Sequence, residues 1–453
     1  MGNPGSQAET ESGTTPLLLT LGLGVFAGAL DLSVLSPALP ALGRDFGVGT
    51  GDLAWVFTLY LLVTVVSIAV SSTLADRHGR RPVYIGSVAL FGLGSIVAVL
   101  APSYGIFLFA RAIQAFGTGG IFPVAAATIG DRISPERRGS ALGLVAATWG
   151  LAAVLGPTFG GLVTHFVSWR WIFAPNFPLA IVVIYLARAY VPREAPRTRG
   201  PLDGLGLALL ALGLLGLMFG ITQTHVATAA AGLLLLAGFV VWERNAPYPI
   251  VPPALFANAQ LAKTYALEIL IGILEGSLFF IPTVLVDAQH LSYAIAGGVA
   301  AIGALVFVAV IPVSGRALDR VGSRDVLLVG TFFAEVGLAI FALGFNSLWL
   351  SILAMLVAGL GFGALLGAPT RYIVTSEAPA QARATSVGLL SQFLIIGQIL
   401  GGSLAGGVMT AALSGQQAYR ETYLAFTGIA LLALGLAATL HSRREELRSR
   451  STE

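Results

Sequence analysis

The chain contains no cysteine. Disulfides, thiolate metal sites and cysteine nucleophiles are therefore excluded, and the redox character of its compartment is left open. Charge is also scarce. Asp, Glu, Lys and Arg make up 10% of the 453 residues, against roughly 25% in a soluble domain. Only five histidines occur, His78, His165, His225, His290 and His441. They are scattered over loops and helix ends, so no metal site is expected. No Walker A sequence, G-x-S-x-G elbow or H-E-x-x-H is present, which argues against ATP as energy source and against an enzyme. No polar stretch is long enough to fold alone, and no nucleic-acid partner is expected.

What is present is apolar. Hydrophobic residues make up 56% of the chain, more than a soluble protein of this length can bury. Lipid removes that constraint, and the fold class that follows is an all-α polytopic membrane protein. The 56 glycines suit helices that approach closely in lipid. Apolar stretches of about 20 residues fall near 16–39, 53–76, 82–101, 105–130, 139–164, 170–191, 202–221, 225–243, 262–286, 293–314, 325–344, 347–370, 384–411 and 422–440. That is fourteen spans. The pair 202–221 and 225–243 reads either as one helical hairpin or as two ordinary spans. Residues 1–15, polar and rich in Gly and Thr, read as a disordered tail rather than a secretory signal.

An even number of spans leaves both termini on one side. If that side is the cytoplasm, inner loops and helix ends hold 20 of the 25 Lys and Arg residues, and the outer side holds only Arg44, Arg170 and Arg420. Arg111 and Arg371 lie within spans or at their edge. The positive-inside rule then places both termini in the cytoplasm of a cell (inner) membrane.

Two loops look alike. LADRHGRRPVYIG (74–86) and ALDRVGSRDVLLVG (317–330) share Asp76/Asp319, Arg77/Arg320, Gly79/Gly322 and Arg81/Arg324 at a constant offset of 243. Arg80 adds a further charge to the first copy. Any inner loop can be arginine-rich, but the repeated Asp-Arg-x-Gly-x-Arg frame points to two halves built as parallel repeats. The Gly suits a tight turn. The charges suit hydrogen bonds that latch one helix to another, either as a gate or as a static clamp.

The first loop resembles the G-x-L-A-D-R-x-G-R-K/R signature of the major facilitator superfamily, with Ser72 at the first glycine. FLFARAIQAFGTGG (107–120) resembles the helix-4 motif of that family. AAVLGPTFGG (152–161) looks like the helix-5 motif of its drug-antiporter branch. GALDLSVLSPALP (28–40), WRWIFAPNFP (169–178) and PLDGLG (201–206) look like the fourteen-helix drug:proton antiporters. The resemblance implies two six-helix bundles around a central cavity, here 16–191 and 262–440. Two extra helices would lie in a linker at 192–261, followed by a cytoplasmic tail at 441–453. It implies that spans 1, 4, 9 and 12 line the cavity. It also makes Gly156, Pro157, Gly160 and Gly161 of span 5 an antiport hinge, where close packing alone is the plainer reading.

Ionised side chains at mid-membrane cost about 2.5–3.5 kcal/mol each on the insertion scale, so those that remain face a cavity or a partner. Asp31 is the candidate proton carrier, with Arg111 on span 4 as its counter-charge; a structural hydrogen bond is the alternative. Glu268 and Glu275 lie seven residues apart on span 9, hence on one stripe about 10 Å apart along the axis. They suggest a proton site, an attraction for cations, or structural hydrogen bonds. Arg371 either pairs with Glu377 or an anionic head group, or snorkels to the interface. Phe26, Gln114, Tyr265, Phe279 and Phe393 complete the candidate substrate cavity.

The expected function is export of hydrophobic or cationic small molecules by alternating access. A proton gradient would supply the energy, with no cofactor, and the protein would act as a monomer. Export of a lipid or glycolipid on the same scaffold is the alternative. A non-transporting membrane sensor or scaffold is the reading from another class.

Overall fold

With no water in the bilayer core, each spanning segment has to satisfy its own backbone, and helices do so. The computed structural model describes residues 4–133, 135–193, 203–379, 383–411, 415–443 and 445. Among these every regular element is helical. Fourteen segments are long and apolar enough to cross a membrane. In chain order, spans 1 to 6 are Thr15–Phe46, Gly51–Ala75, Arg80–Leu100, Tyr104–Ile129, Ala147–Phe166 and Trp169–Tyr190. Spans 7 and 8 are Gly204–Thr222 and Val226–Glu243. Spans 9 to 14 are Ala259–Gln289, Tyr293–Val321, Ser323–Gly344, Leu348–Glu377, Thr385–Met409 and Gln416–Ala438. The extra pair is thus two full spans, joined by a turn in which Thr224 takes φ 54°.

The N-terminal segment differs from expectation. The first helix starts at Pro4 and runs unbroken to Leu35, so residues 4–15 are helical rather than disordered. Extending an existing helix needs no new nucleus, and Pro4 occupies a first-turn position where its missing N–H costs nothing. Residues 194–202 of the expected linker, and 444 and 446–453 of the expected C-terminal tail, lie outside the described residues.

The repeat has a structural counterpart. Gly79 (φ 87°, ψ 156°) and Gly322 (φ 91°, ψ 170°) make the turns between spans 2 and 3 and spans 10 and 11. That backbone region is open essentially to glycine alone. Spans 1 and 9 also break at matching depth. Span 1 tightens into a 3-10 turn at Ser36–Ala38 around Pro37, and span 9 restarts at Ile281, ahead of Pro282. Proline cannot donate the helix-interior hydrogen bond. Ser36 Oγ donates to the Phe279 carbonyl at 2.5 Å, and these two positions are also 243 apart. The contact joins repeat mates and therefore sits on the pseudo-two-fold axis.

The two ends of the molecule pack differently. At one end a single apolar core runs through both halves. It includes Leu35, Leu39, Phe57, Phe107 and Phe173 from spans 1 to 6, with Phe280, Val284, Phe341 and Tyr423 from spans 9 to 14. There Phe57 stacks on Phe279 at 4.5 Å, and Arg44 donates to the Tyr293 hydroxyl at 3.1 Å. Toward the opposite, arginine-rich end the cores separate. One cluster holds only spans 1 and 3 to 6 with the end of span 2; others belong to spans 9, 12 and 13 and to spans 10 to 12. The halves share one apolar core that seals one end, while a further cluster around Tyr60 and Val65 of span 2 and Ile399 of span 13 also joins them.

Span 5 joins the halves through its glycines. A Cβ at Gly156 would lie 1.9 Å from Ser33 Oγ, and one at Gly160 would lie 2.0 Å from the Val34 carbonyl, both on span 1. A Cβ at Gly161 would meet the Tyr293 carbonyl at 2.5 Å, and one at Gly297 would meet the Pro157 carbonyl at 2.3 Å, both across the seam to span 10. Alternate faces of one motif thus touch the two halves.

Three stability predictions rest on these turns and contacts. Gly79→Ala and Gly322→Ala should each cost about 1–3 kcal/mol through backbone strain, read as a lower melting temperature in detergent. Gly160→Ala should cost about 1–3 kcal/mol by overpacking. Gly238→Ala, where a Cβ meets nothing within 4 Å, should be neutral or stabilising in the same assay.

Candidate functional site

Small residues bring span 4 against spans 1 and 3. A Cβ at Gly28 would lie 2.8 Å from Thr118, and one at Gly94 would lie 2.6 Å from Gln114. That approach lets long polar side chains of span 4 reach Asp31. Arg111 Nη1 donates to Asp31 Oδ2 at 2.5 Å. Gln114 Nε2 and Asn176 Nδ2 donate to Asp31 Oδ1 at 3.0 and 2.8 Å. Three donors converging on two oxygens is the setting of a carboxylate. Gln114 also accepts from Arg111 at 2.9 Å and donates to Ser95 Oγ at 2.8 Å. The guanidinium carbon lies 4.1 Å from the centre of the Tyr60 ring, a cation–π contact. Asp31, Arg111 and Gln114 are all wholly buried. Five spans thus meet at one ion pair inside the first half.

The second half is built differently. Gln398 Nε2 donates to Glu275 Oε2 at 2.8 Å. Glu268 is buried, and its Oε2 has no partner among the described residues. At the repeat offset of 243, Leu274 and Ala354 stand where Asp31 and Arg111 stand in the first half. The two halves share a scaffold and not a charge pair.

Other candidates fall elsewhere than expected. Gln114 belongs to the Asp31 network and lines no open space. Tyr265 is packed between Phe256 and Phe393, with its hydroxyl donating to the Ser386 carbonyl at 3.3 Å. Phe279 forms part of the seal rather than an open cavity wall. In each case helix rotation, which residue type does not set, turns the side chain toward a neighbouring helix. Phe26 and Phe393 are half-buried, and Arg371 is exposed. Arg371 makes no ion pair with Glu377, whose carboxylate instead accepts from Asn258 Nδ2 at 3.0 Å and lies 3.8 Å from His441 Nδ1.

In the loops, Arg80 Nη1 donates to the Ala127 carbonyl at 2.7 Å, and Arg81 donates to the Arg188 carbonyl. Both hold spans of the first half together. Arg77, Asp319 and Arg320 are exposed, and Arg324 pairs with its neighbour Asp325 at 3.4 Å. The side chain of Asp76 lies outside the described residues. Residue-type reasoning missed Asn176, Ser95 and the cation–π role of Tyr60. Asn176 carried a signal, as a lone amide within WRWIFAPNFP. Ser95 carried none, because a serine in an apolar helix usually bonds its own backbone, as Ser95 also does to Phe91.

The same architecture occurs in known proteins. The profile of the Major Facilitator Superfamily matches residues 21–257 and 264–453. The MFS-type transporter YfiU of Bacillus subtilis (strain 168) is 32% identical over 435 residues, 90% of this chain and 82% of that one. A multidrug resistance protein B homolog of Mycobacterium tuberculosis (strain ATCC 25618 / H37Rv) is 30% identical over 441 residues, 92% of this chain and 79% of that one. Among solved structures, a D-xylose-proton symporter superposes with a TM-score of 0.72 at 14% identity, covering 94% of this chain and 98% of that one. A fourteen-span helical chain with two repeated halves, matched by the family profile over nearly its whole length, belongs to the major facilitator superfamily of membrane transporters.

Proposed function

We propose that this transporter is a proton-coupled exporter of hydrophobic or cationic small molecules. The observation that carries the reading is the wholly buried Asp31–Arg111 pair. Multidrug resistance proteins at about 30% identity support the direction of transport. The arginine-rich end faces the cytoplasm by the positive-inside rule, so the core shared by both halves seals the outer side and substrate enters from within.

The coupling follows from where Asp31 sits. Ser33, two residues on, donates to the Ala152 carbonyl of span 5 at 2.9 Å. Ser36, five residues on, donates to Phe279 in the seal. Five residues of helix span roughly 7.5 Å. Asp31 thus lies within two turns of a contact with span 5 and of the break in span 1 that carries the outer seal. A proton reaching Asp31 from the outer side, once the seal has opened and substrate has left, removes the charge that holds Arg111. Span 1 is then free to move relative to spans 4 and 6, and the seal it carries closes. When the proton leaves to the cytoplasmic side the ion pair re-forms, so a proton has moved inward as substrate moved outward. The equilibrium between two arrangements is shifted by one proton, which is all that coupling needs.

The test is efflux of a lipophilic cation from proteoliposomes under an imposed pH gradient. Wild type should transport in proportion to the gradient. Asp31→Asn should lose gradient-driven efflux while remaining monodisperse in detergent. Equal transport by both would remove Asp31 from the mechanism. Arg111→Ala should shift or flatten the pH dependence of any remaining transport, and an unchanged profile would refute its role as counter-charge.

A further inference from the structure

Two helices of the second half are jointed, and their inner pieces end at one cluster. Span 9 is broken ahead of Pro282 into Ala259–Leu278 and Ile281–Gln289. Span 12 is broken into Leu348–Leu365 and Pro369–Glu377, with Pro369 opening the inner piece. A proline at the joint leaves a backbone hydrogen bond unmade, so each inner piece pivots about its break more readily than a continuous helix bends.

The inner ends of both pieces are tied to each other and to the exit of span 14. Asn258 caps span 9 through Oδ1, which accepts from the Gln260 and Leu261 amides at 2.8 and 3.2 Å. Its Nδ2 donates at 3.0 Å to Oε2 of Glu377, the last residue of span 12. Gln260 Oε1 accepts at 3.2 Å from the amide of His441, just beyond span 14. One link of this ring is open. His441 Nδ1 lies 3.8 Å from Glu377 Oε1, shielded from solvent and without a hydrogen-bond partner among the described residues. The rest of the imidazole is accessible. Its side chain is 43% exposed, and with Asn258, Gln260 and Glu377 it lines a cavity of about 540 Å³.

The other charged groups around His441 are engaged elsewhere. Lys263 of span 9 donates to the Thr439 carbonyl at 2.9 Å. Glu445, from the same segment as His441, accepts from the Ser442 amide and hydroxyl, and Arg324 of the turn between spans 10 and 11 acts on Glu445. Arg443 is exposed. Glu377 is the carboxylate that the ring faces directly.

We infer that His441 and Glu377 form a proton-operated clamp: protonation of His441 from the cytoplasmic side closes an ion pair with Glu377 and pins the inner ends of spans 9, 12 and 14 together. Histidine is the side chain that ordinarily changes charge between about pH 5 and 8, and its protonated ring donates from both nitrogens. The clamp is therefore closed at acid pH and released as pH rises through the histidine range. It slows any cycle that pivots the two inner pieces. On the exporter reading each cycle carries a proton inward, so the clamp throttles transport as the cytoplasm acidifies. That feedback rests on the exporter reading; the clamp itself does not.

The chain has no cysteine, which makes site-directed spin labelling direct. Labels at Thr375→Cys on span 12 and Ala438→Cys on span 14, both exposed, report the separation of those ends in the full-length protein in proteoliposomes. Electron paramagnetic resonance at about pH 6 and about pH 8, toward either end of the histidine range, should give a narrower distance distribution at the acid value. His441→Gln and Glu377→Gln should each give one distribution at both values. His441→Arg, charged throughout, should keep the narrow one at both. Exchange of tritiated tetraphenylphosphonium at equal pH on the two faces is the second measurement. Going to the acid value should slow wild type about two- to fivefold more than His441→Gln, the range of a half-exposed ion pair. No response of the distance in wild type, or a response that persists in His441→Gln, would overturn the inference. So would equal acid slowing of exchange in the two proteins. A distance response without exchange in any variant would uphold the clamp and strike the exporter reading.

Discussion

An ion pair with no access to water constrains everything around it. Asp31 and Arg111 are both wholly buried, and desolvating two charges is repaid only by good geometry and further hydrogen bonds. The fold supplies them to Asp31 from several helices at once, whereas Arg111 donates through Nη1 alone and its Nε and Nη2 have no hydrogen-bond partner among the described residues. Gln114 and Arg111 come from span 4, Asn176 from span 6, Ser95 from span 3 and the Tyr60 ring from span 2. Removing either charge leaves the other stranded. The first half is therefore held in register by contacts that converge on this pair.

The second half answers with the opposite arrangement. Its mid-membrane acids on span 9, Glu268 and Glu275, lie along one stripe with few donors and no arginine partner among the described residues. Duplicated scaffold and unlike chemistry go together here. The turns at Gly79 and Gly322 adopt nearly the same backbone, and Ser36 and Phe279 meet across the axis that relates the halves. Symmetry governs the helices, while the polar residues differ half by half. Between them run the glycines of span 5, whose faces touch span 1 and span 10 in turn. Backbone against backbone leaves little side-chain interlock, which suits a surface along which two rigid bodies pivot.

Much of this was legible in residue order. Hydropathy marks fourteen spans because a bilayer of about 30 Å demands about 20 apolar residues each time. The repeated Asp-Arg-x-Gly frame marked the two halves, and Asp31 stood out as the one acid in an apolar run. Its pairing with Arg111 was also within reach, since each was the isolated charge of its span. The roles of the aromatic residues were not legible. Tyr265 and Phe279 have the right chemistry for a cavity wall, yet one packs against span 13 and the other closes the seal. Which face of a helix turns inward depends on its rotation against several neighbours, and an all-apolar helix carries no amphipathic stripe to report it.

Sequence by itself determined the solvent, the number of spans, the repeat, and which charges are too costly to leave without a purpose. Each of these follows from local composition and spacing. Only the tertiary structure decided that Asp31 is saturated with donors while Glu268 has an oxygen to spare. It alone decided that the halves share a single core at one end. Those are properties of distances between segments 80 to 250 residues apart, as in the Asp31–Arg111 and Arg44–Tyr293 contacts. They are set by how glycine-lined helices settle against one another, which no local window of residues specifies.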